Sequence, residues 1–372
     1  MPVRPEAVAE LTRVLTELPG NPSGSHAAAR AARRVLDDAR DVLADVLGSG
    51  PGDVVFTGGG TEADNLAVLG ASGGGTVVVS SVEHPAVRDP ALGLGARIAP
   101  VDSAGRLDLD ALAALLDGLD GVSLVSVMLV NNEVGTIQPL AEVAEVVRRH
   151  APEAVLHTDA VQALSWVDVA EVAADADLIS VSAHKFGGPK GVGALVVRPG
   201  VALAARQIGG GQERERRSGT QNVAGVAAMA TAARITVDRR TDDVARITAL
   251  RDRLADGVLT AVPDAVETGI TGGDRSGRAA GLCHLCFPGV EAEALLFLLD
   301  EAGVAASAAS SCASGAAEPS AVLAAMGVPR EQAAGSLRLS LGWATTDADV
   351  DRALAVVPEV VSRLRAGKRV DA

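Results

Sequence analysis

Apolar residues fall along this chain in two alternating rhythms. Residues 25–48, SHAAARAARRVLDDARDVLADVLG, place apolar side chains at the three- and four-residue spacing of an amphipathic helix. DVVFT (53–57), TVVVSSV (76–82), VSLVSVMLV (122–130), AVLHTD (154–159), DLISVSA (177–183) and GALVV (193–197) are short runs that predict buried strands. Helix-spaced stretches such as LAEVAEVVRRHA (140–151) separate several of them. Strands alternating with helices predict an α/β domain on a mostly parallel sheet covered on both faces. From about residue 240 the rhythm changes. A long helix, DDVARITALRDRLADGVLTAV, leads through the glycine-rich TGGDRSGRAAG to a strand-like LCHLCF. The helix EAEALLFLLDEAG, a small-residue stretch, SLRLSLG and a final helix complete the chain. We therefore expect a large α/β domain over 1–240 and a smaller α+β domain over 241–372.

With 372 residues the chain is long enough for two such cores. No apolar run approaches the roughly 18 residues that span a bilayer, and MPVRPEAVAELTRVL lacks a signal pattern. A soluble cytoplasmic protein without membrane contact is expected. The net charge of −14 argues against direct nucleic-acid binding, which requires a basic surface. Three cysteines make no disulfide framework, and the absence of tyrosine excludes tyrosine chemistry.

Basic residues change the picture more. Of 33 lysines and arginines only three are lysine, at 185, 190 and 368, and two of these lie in SVSAHKFGGPKG. A primary amine forms a Schiff base with an aldehyde; a guanidinium does not. The stretch follows a predicted strand, where open α/β sheets bind ligands. Ser182 and His184 could hold a phosphate there, although a lysine in a surface turn is commonly just solvated. Asp159 ends the strand AVLHTD and could pair with a pyridinium nitrogen or cap the next helix. TGGGTEADNLAVLG offers backbone N–H groups and the Thr61 hydroxyl to an anion, without the GK[ST] or GxGxxG of nucleotide sites. His84 in VEHPAV could stack on a ring or simply pack, and Asn131 and Asn132 in LVNNEVGTIQ end an apolar strand and need partners. Five polar clusters after five strands predict one site on one sheet edge.

As a set these motifs resemble the cysteine desulfurases of the class V aminotransferase family, in the branch of the nitrogen-fixation and iron–sulfur-cluster enzymes. GNPSGSH, VVFTGGGTEADNLA, EHPAV, VNNEVGTIQP, HTDAVQ, SAHKFGGPKGVGAL, GGGQERERRSGTQNV, SCASGAAEPS and SLRLSLG occur in family order over residues 3 to 365. The resemblance implies a fold-type I transferase with a seven-stranded sheet and pyridoxal 5'-phosphate as cofactor. It implies that Lys185 carries the cofactor, Asp159 meets its ring nitrogen, Gln162 its phenolic oxygen, and His84 stacks on the ring. Gly60, Thr61, Ser182 and His184 would hold the phosphate, joined by Thr220 from a second copy in a homodimer. Asn132 and Arg338 would take the carboxylate of L-cysteine. Cys312, in SAASSCASGAAEPS, would receive the sulfur as a persulfide for an acceptor protein and leave alanine. No metal is implied.

Cys283 and Cys286 sit three apart in a predicted strand, point to opposite faces and are expected to pack in the core. Family members usually begin with a strand ending in an LDxxATTP-like motif, and this chain starts beyond it, which bears on activity more than on cofactor binding. Glu215 where the family often has glycine, and SAASSC in place of SSGSAC, are expected to be tolerated. Selenocysteine lyase, another class V reaction, and a cofactor-binding scaffold without turnover are the alternatives.

Overall fold

The computed structural model describes residues 1–272, 274–308 and 320–368. It divides into two compact units, Met1–Ala99 with Leu107–Val130 and Gln138–Arg240, and Pro100–Arg106 with Asn131–Ile137 and Thr241–Ala372. No helix of the described residues is long and apolar enough to cross a membrane.

The first unit holds seven strands: β1 (Val54–Thr57), β2 (Thr76–Ser80), β3 (Arg97–Ala99), β4 (Val122–Ser126), β5 (Val155–Asp159), β6 (Leu178–Ser182) and β7 (Gly193–Val197). They lie in the order β1-β7-β6-β5-β4-β2-β3. β7 runs antiparallel to both neighbours, and the remaining pairs are parallel. Helices α1 (Pro5–Glu17) and α2 (Ala27–Val46) precede β1, and α3 (Gly60–Ala71), α4 (Pro85–Gly93), α5 (Leu109–Asp117), α6 (Leu140–His150) and α7 (Val169–Val172) fill connections between strands. Strands buried on both faces need apolar residues at successive positions, which is why these runs read as continuous rather than alternating. α3 is buried along most of its length, packing Leu66, Ala67 and Val68 with Val55, Val77, Leu124 and Leu195 of the sheet.

The expected strand 122–130 leaves the ladder after Ser126, although the N–H groups of Val127 and Leu129 still donate to the carbonyls of His157 and Asp159. The helix expected from 242 starts much earlier, as α8 (Val223–Ala261). Its first third is VAGVAAMATAARI, in which alanine favours the helix.

In the second unit β8 (Val266–Glu267), β9 (Leu282–Cys286) and β10 (Ser336–Ser340) form an antiparallel sheet in the order β10-β9-β8. α9 (Ala292–Glu301), α10 (Ala321–Ala325), α11 (Arg330–Ala333) and α12 (Asp347–Lys368) accompany it. Residues 131–137 belong here because Ile137 N–H donates to Gly277 and the Gly135 carbonyl accepts from Ala279. α8 and α12 touch at Gly257, where a β-carbon would meet Leu354 at 2.4 Å.

Between β7 and α8, three consecutive non-glycine residues, Glu213, Arg214 and Glu215, have φ of 48°, 57° and 63°. Left-handed backbone costs about 1–2 kcal/mol per such residue. Burial of the Glu213 carboxylate holds the turn. It receives two 2.9 Å bonds from Arg40 on α2 and a third from Phe56 N–H on β1 at 2.9 Å. Arg40 also lies 4.4 Å from the Phe56 ring centre. Replacing Glu213 with Gln should cost about 3 kcal/mol, because a buried guanidinium is left without its charge partner. Glu215→Gly should instead gain about 1 kcal/mol by relieving the left-handed backbone. Urea midpoints of the two variants against the parent check both signs.

Candidate active site

Parallel strands place their carboxyl ends on one edge, and four of the five polar clusters follow such ends in the first unit. Gly58–Thr61 follow β1, and His84 follows β2. Asp159 closes β5, with Gln162 in the turn beyond it. Ser182 closes β6, and His184 and Lys185 form the 3-10 turn after it. The fifth cluster, Asn131 and Asn132, lies in the second unit. β7 opens on this same edge because it runs against its neighbours. Its first residue, Gly193, pairs with both Thr57 and Ser182. A β-carbon there would meet the Gly59 carbonyl carbon at 2.8 Å and the Val181 oxygen at 2.6 Å, so only glycine permits the approach.

A cavity of about 750 Å³ opens between these elements. Gly58–Gly60, Thr61 and Glu62 line one side; Ser182, His184, Lys190 and Gly191 line the other. α3 begins here with Gly59 at its N-cap and no side-chain cap, so the N–H groups of its first turn face the space without a capping side chain. Ser182 Oγ lies 2.9 Å from His184 Nδ1. Burial, then Lys185, the chain's amino group and Lys190, lower the His184 pKa to about 4, so the ring is neutral at pH 7. A neutral imidazole and a hydroxyl share two protons, one of which is used between them. Either tautomer leaves the pair one donor for an anion. Glu62 accepts from Arg217 at 2.7 and 3.2 Å and from Gly58 N–H at 2.7 Å, so its charge is already matched.

Deeper on the same edge lie three buried carboxyl groups. Asp159 accepts from Val161 N–H at 2.8 Å, and burial raises its pKa to about 6, opposed by that hydrogen bond and by the Lys185 ammonium. Asp64 on α3 and Glu83 after β2 are pushed well up, first by burial and then by the Asp159 charge. Glu83 Oε1 accepts from Met128 N–H at 2.6 Å, while its Oε2 is buried without a partner. His157 stands between Ser126 and Ser180, at 2.8 and 3.0 Å, and burial lowers its pKa to about 3. This inward layer escaped the sequence reading, although Glu83 adjoins His84 and His157 lies two residues before Asp159. Asn65 and Lys190 lining the cavity were likewise not expected; the scarcity of lysine was the available signal for Lys190.

His84 caps α4, its Nδ1 accepting from Ala86 N–H at 3.1 Å, which places the ring proton on Nε2. Thr220 is exposed in the segment before α8. In the second unit Arg338 Nη1 donates to the Asn132 carbonyl at 2.9 Å, and Asn132 Oδ1 is buried without a partner. Cys283 and Cys286 are buried in β9, and burial pushes their thiols up to about 11 and about 12. No group of metal-ligating side chains occurs among the described residues. Cys312 lies outside the described residues.

The sequence matches the family description Aminotransferase class-V over residues 2–353. The chain belongs to the aminotransferase class-V family. An IscS-like cysteine desulfurase of Mycobacterium tuberculosis strain H37Rv is 44% identical to this class V chain over 98% of its length and 95% of the relative's. A solved NifS-like protein superimposes with a TM-score of 0.89 at 33% identity, covering 98% of this chain and 97% of that one. A structure described as SspA in complex with cysteine gives 0.78 at 25% identity, covering 92% and 96%. The class V fold is thus an α/β fold-type I architecture with a mostly parallel seven-stranded sheet.

A raised carboxyl pKa has a sign in stability. In ligand-free protein native Asp159 keeps its proton to about pH 6, while the unfolded chain releases it near pH 4. The native state therefore binds more protons between these values, and stability falls as pH rises through them. Asp64 and Glu83 act in the same direction. Asp159→Asn should match the parent near pH 4 and exceed it by roughly 3 kcal/mol at pH 8. Urea unfolding of both proteins across this range checks it, and a pH-independent difference would contradict it.

Proposed function

We propose that this protein is a cysteine desulfurase, using pyridoxal 5'-phosphate to move sulfur from L-cysteine to Cys312 and then to an acceptor protein. The observation that carries this function is the buried Asp159 carboxyl within the field of the Lys185 amine, beside an anion-ready cavity, on one sheet edge. An aldehyde, a basic ring nitrogen and a phosphate on one small molecule match those three features. The buried carboxyl in particular calls for a cationic partner, which a protonated ring nitrogen provides. When bound, pyridoxal phosphate supplies an electrophilic aldehyde carbon and a ring that draws electrons from the substrate's Cα.

The chain's own residues do the rest. Lys185 Nζ would hold the cofactor covalently and, as a free amine, would be able to move a proton at the substrate. Asp159 would pair as a carboxylate with the ring nitrogen, and Gln162 would meet the phenolic oxygen. His84, its Nδ1 engaged in capping α4, would stack on the ring. Gly60, Thr61, Ser182 and His184 take the phosphate. Thr220 serves the phosphate of a second copy in a cytoplasmic homodimer. Asn132 and Arg338 take the substrate carboxylate, for which a planar guanidinium is the fitting donor. The Cys312 thiolate attacks the substrate sulfur. A sulfur–sulfur bond forms as the carbon–sulfur bond breaks, the electron pair stays with carbon, and protonation there gives alanine.

With L-cysteine and dithiothreitol, the parent should release sulfide and alanine in equal amounts. Cys312→Ser should lose turnover by roughly 10³-fold or more while keeping the yellow absorbance. Lys185→Ala should lose the absorbance of the covalently held cofactor. Equal sulfide release with and without the Cys312 thiol would overturn the persulfide route. Selenocysteine turnover indifferent to Cys312 would mark a lyase, and a yellow protein without turnover a scaffold. Arg338→Lys should raise KM for cysteine about tenfold or more with a smaller change in kcat, because the two-pronged contact is lost.

A further inference from the structure

Lys185 accounts for one of the two lysines in SVSAHKFGGPKG; Lys190 takes no part in the chemistry assigned above. We infer that Lys190 is the cation that holds the cofactor's phosphate in the cavity at the start of α3, an inference that rests on the pyridoxal phosphate function just proposed.

Topology places it there. β7 is wedged between β1 and β6 and runs against both, so the residues that lead into it arrive at the carboxyl ends of its neighbours. Gly193 abuts Gly59, and Lys190 stands three residues ahead of it. The turn turns back over the glycine run at Gly191, whose φ is 77°. Lys190 and Gly191 accordingly line the same cavity as Gly58–Thr61, Ser182 and His184.

Charge completes the case. A phosphate brings close to two negative charges. Among the described residues lining this cavity, Lys190 is the one lysine or arginine. His184 is neutral at pH 7, and Glu62 is an anion whose matching cation, Arg217, is held in a two-bond pair with it. Without Lys190 the phosphate would meet N–H and O–H dipoles and one carboxylate, with no full positive charge from the lining. Residue type agrees as well. In a chain where arginine supplies thirty of 33 basic residues, lysine stands at this position. An ammonium is a compact charge with three donors that can turn to a rounded anion, whereas a guanidinium imposes a planar fork. Lys190 is exposed, so its stem can turn towards the cavity without leaving a packed site.

The test compares pyridoxal 5'-phosphate with pyridoxal, which keeps the aldehyde and ring nitrogen but lacks the phosphate. Cofactor-stripped full-length parent, Lys190→Met, Lys190→Gln and Lys190→Arg are titrated with each, following the absorbance of the lysine-bound aldehyde. Lys190→Met and Lys190→Gln should weaken pyridoxal phosphate binding by about 10- to 100-fold and change pyridoxal binding less than about twofold, the range for a lost charge-assisted contact. Lys190→Arg should fall between. The loss should shrink as salt rises, because the contact is partly exposed. Inorganic phosphate should compete with the cofactor in the parent and much less in Lys190→Met. Unchanged pyridoxal phosphate affinity in both neutral variants, or equal loss of both ligands, would overturn the role of Lys190 and leave the parent function standing. Failure of the parent itself to take up pyridoxal phosphate would remove both.

Discussion

A carboxyl group sealed from water must either keep its proton or meet a cation, and Asp159 sets that condition for the site. It is 4% exposed and accepts a hydrogen bond from Val161 N–H, with the Lys185 charge in range. Burial therefore stores an electrostatic deficit in the protein without ligand. Under the proposed function a protonated ring nitrogen would relieve it, so the feature that weakens the ligand-free fold would favour the cofactor-bound one.

The layer beneath answers to the same charge. Asp64 and Glu83 are each buried near Asp159, whose charge raises the cost of ionising both. Only one of the three can ionise cheaply, and Asp159 has the smallest rise. These buried groups also fix geometry. Glu83 grips the backbone after β4 through Met128 N–H, and His157 ties β4 to β6 through Ser126 and Ser180. Ionisable groups are thus arranged so that charge gathers at the sheet edge rather than behind it. A second pair of carboxylates works away from that layer. Glu213 binds the segment before α8 to β1 and α2, while Glu62 binds the same segment to α3 through Arg217. The glycine turn lies between those two anchors, which limits how far it can move.

Much of the first unit could be read from the sequence because its strands are buried on both faces and flanked by polar or glycine-rich turns. GALVV coincides with β7 residue for residue. β3 was not legible: Arg97 and Ile98 are exposed, and three residues at a sheet edge carry too little pattern. The end of β4 was misjudged because VMLV stays buried after the ladder stops, and burial alone does not separate strand from extended core segment. Placing Asn132 in the second unit requires the bonds to residues 277 and 279, which no local pattern contains. The left-handed run at 213–215 was hidden for a similar reason. Its sequence, ERE, is ordinary helix or loop composition, and the conformation is imposed by an arginine 173 positions away. Glu215 was expected to be tolerated in place of glycine; its φ of 63° shows that the substitution carries a conformational cost.

The wedged position of β7 has a consequence for how the protein is made. β1 has one strand neighbour, and its partners run from Gly193 to Val196. During synthesis the strand that introduces the glycine turn therefore waits, unpaired on both edges, while about two fifths of the chain is still to be translated before its neighbour emerges. Such an edge is a template for pairing with other nascent chains. Closing a loop of that length is slow but adds little to the final cost. The glycine turn and the cavity beside it are accordingly among the last parts of the first unit to be completed on the ribosome.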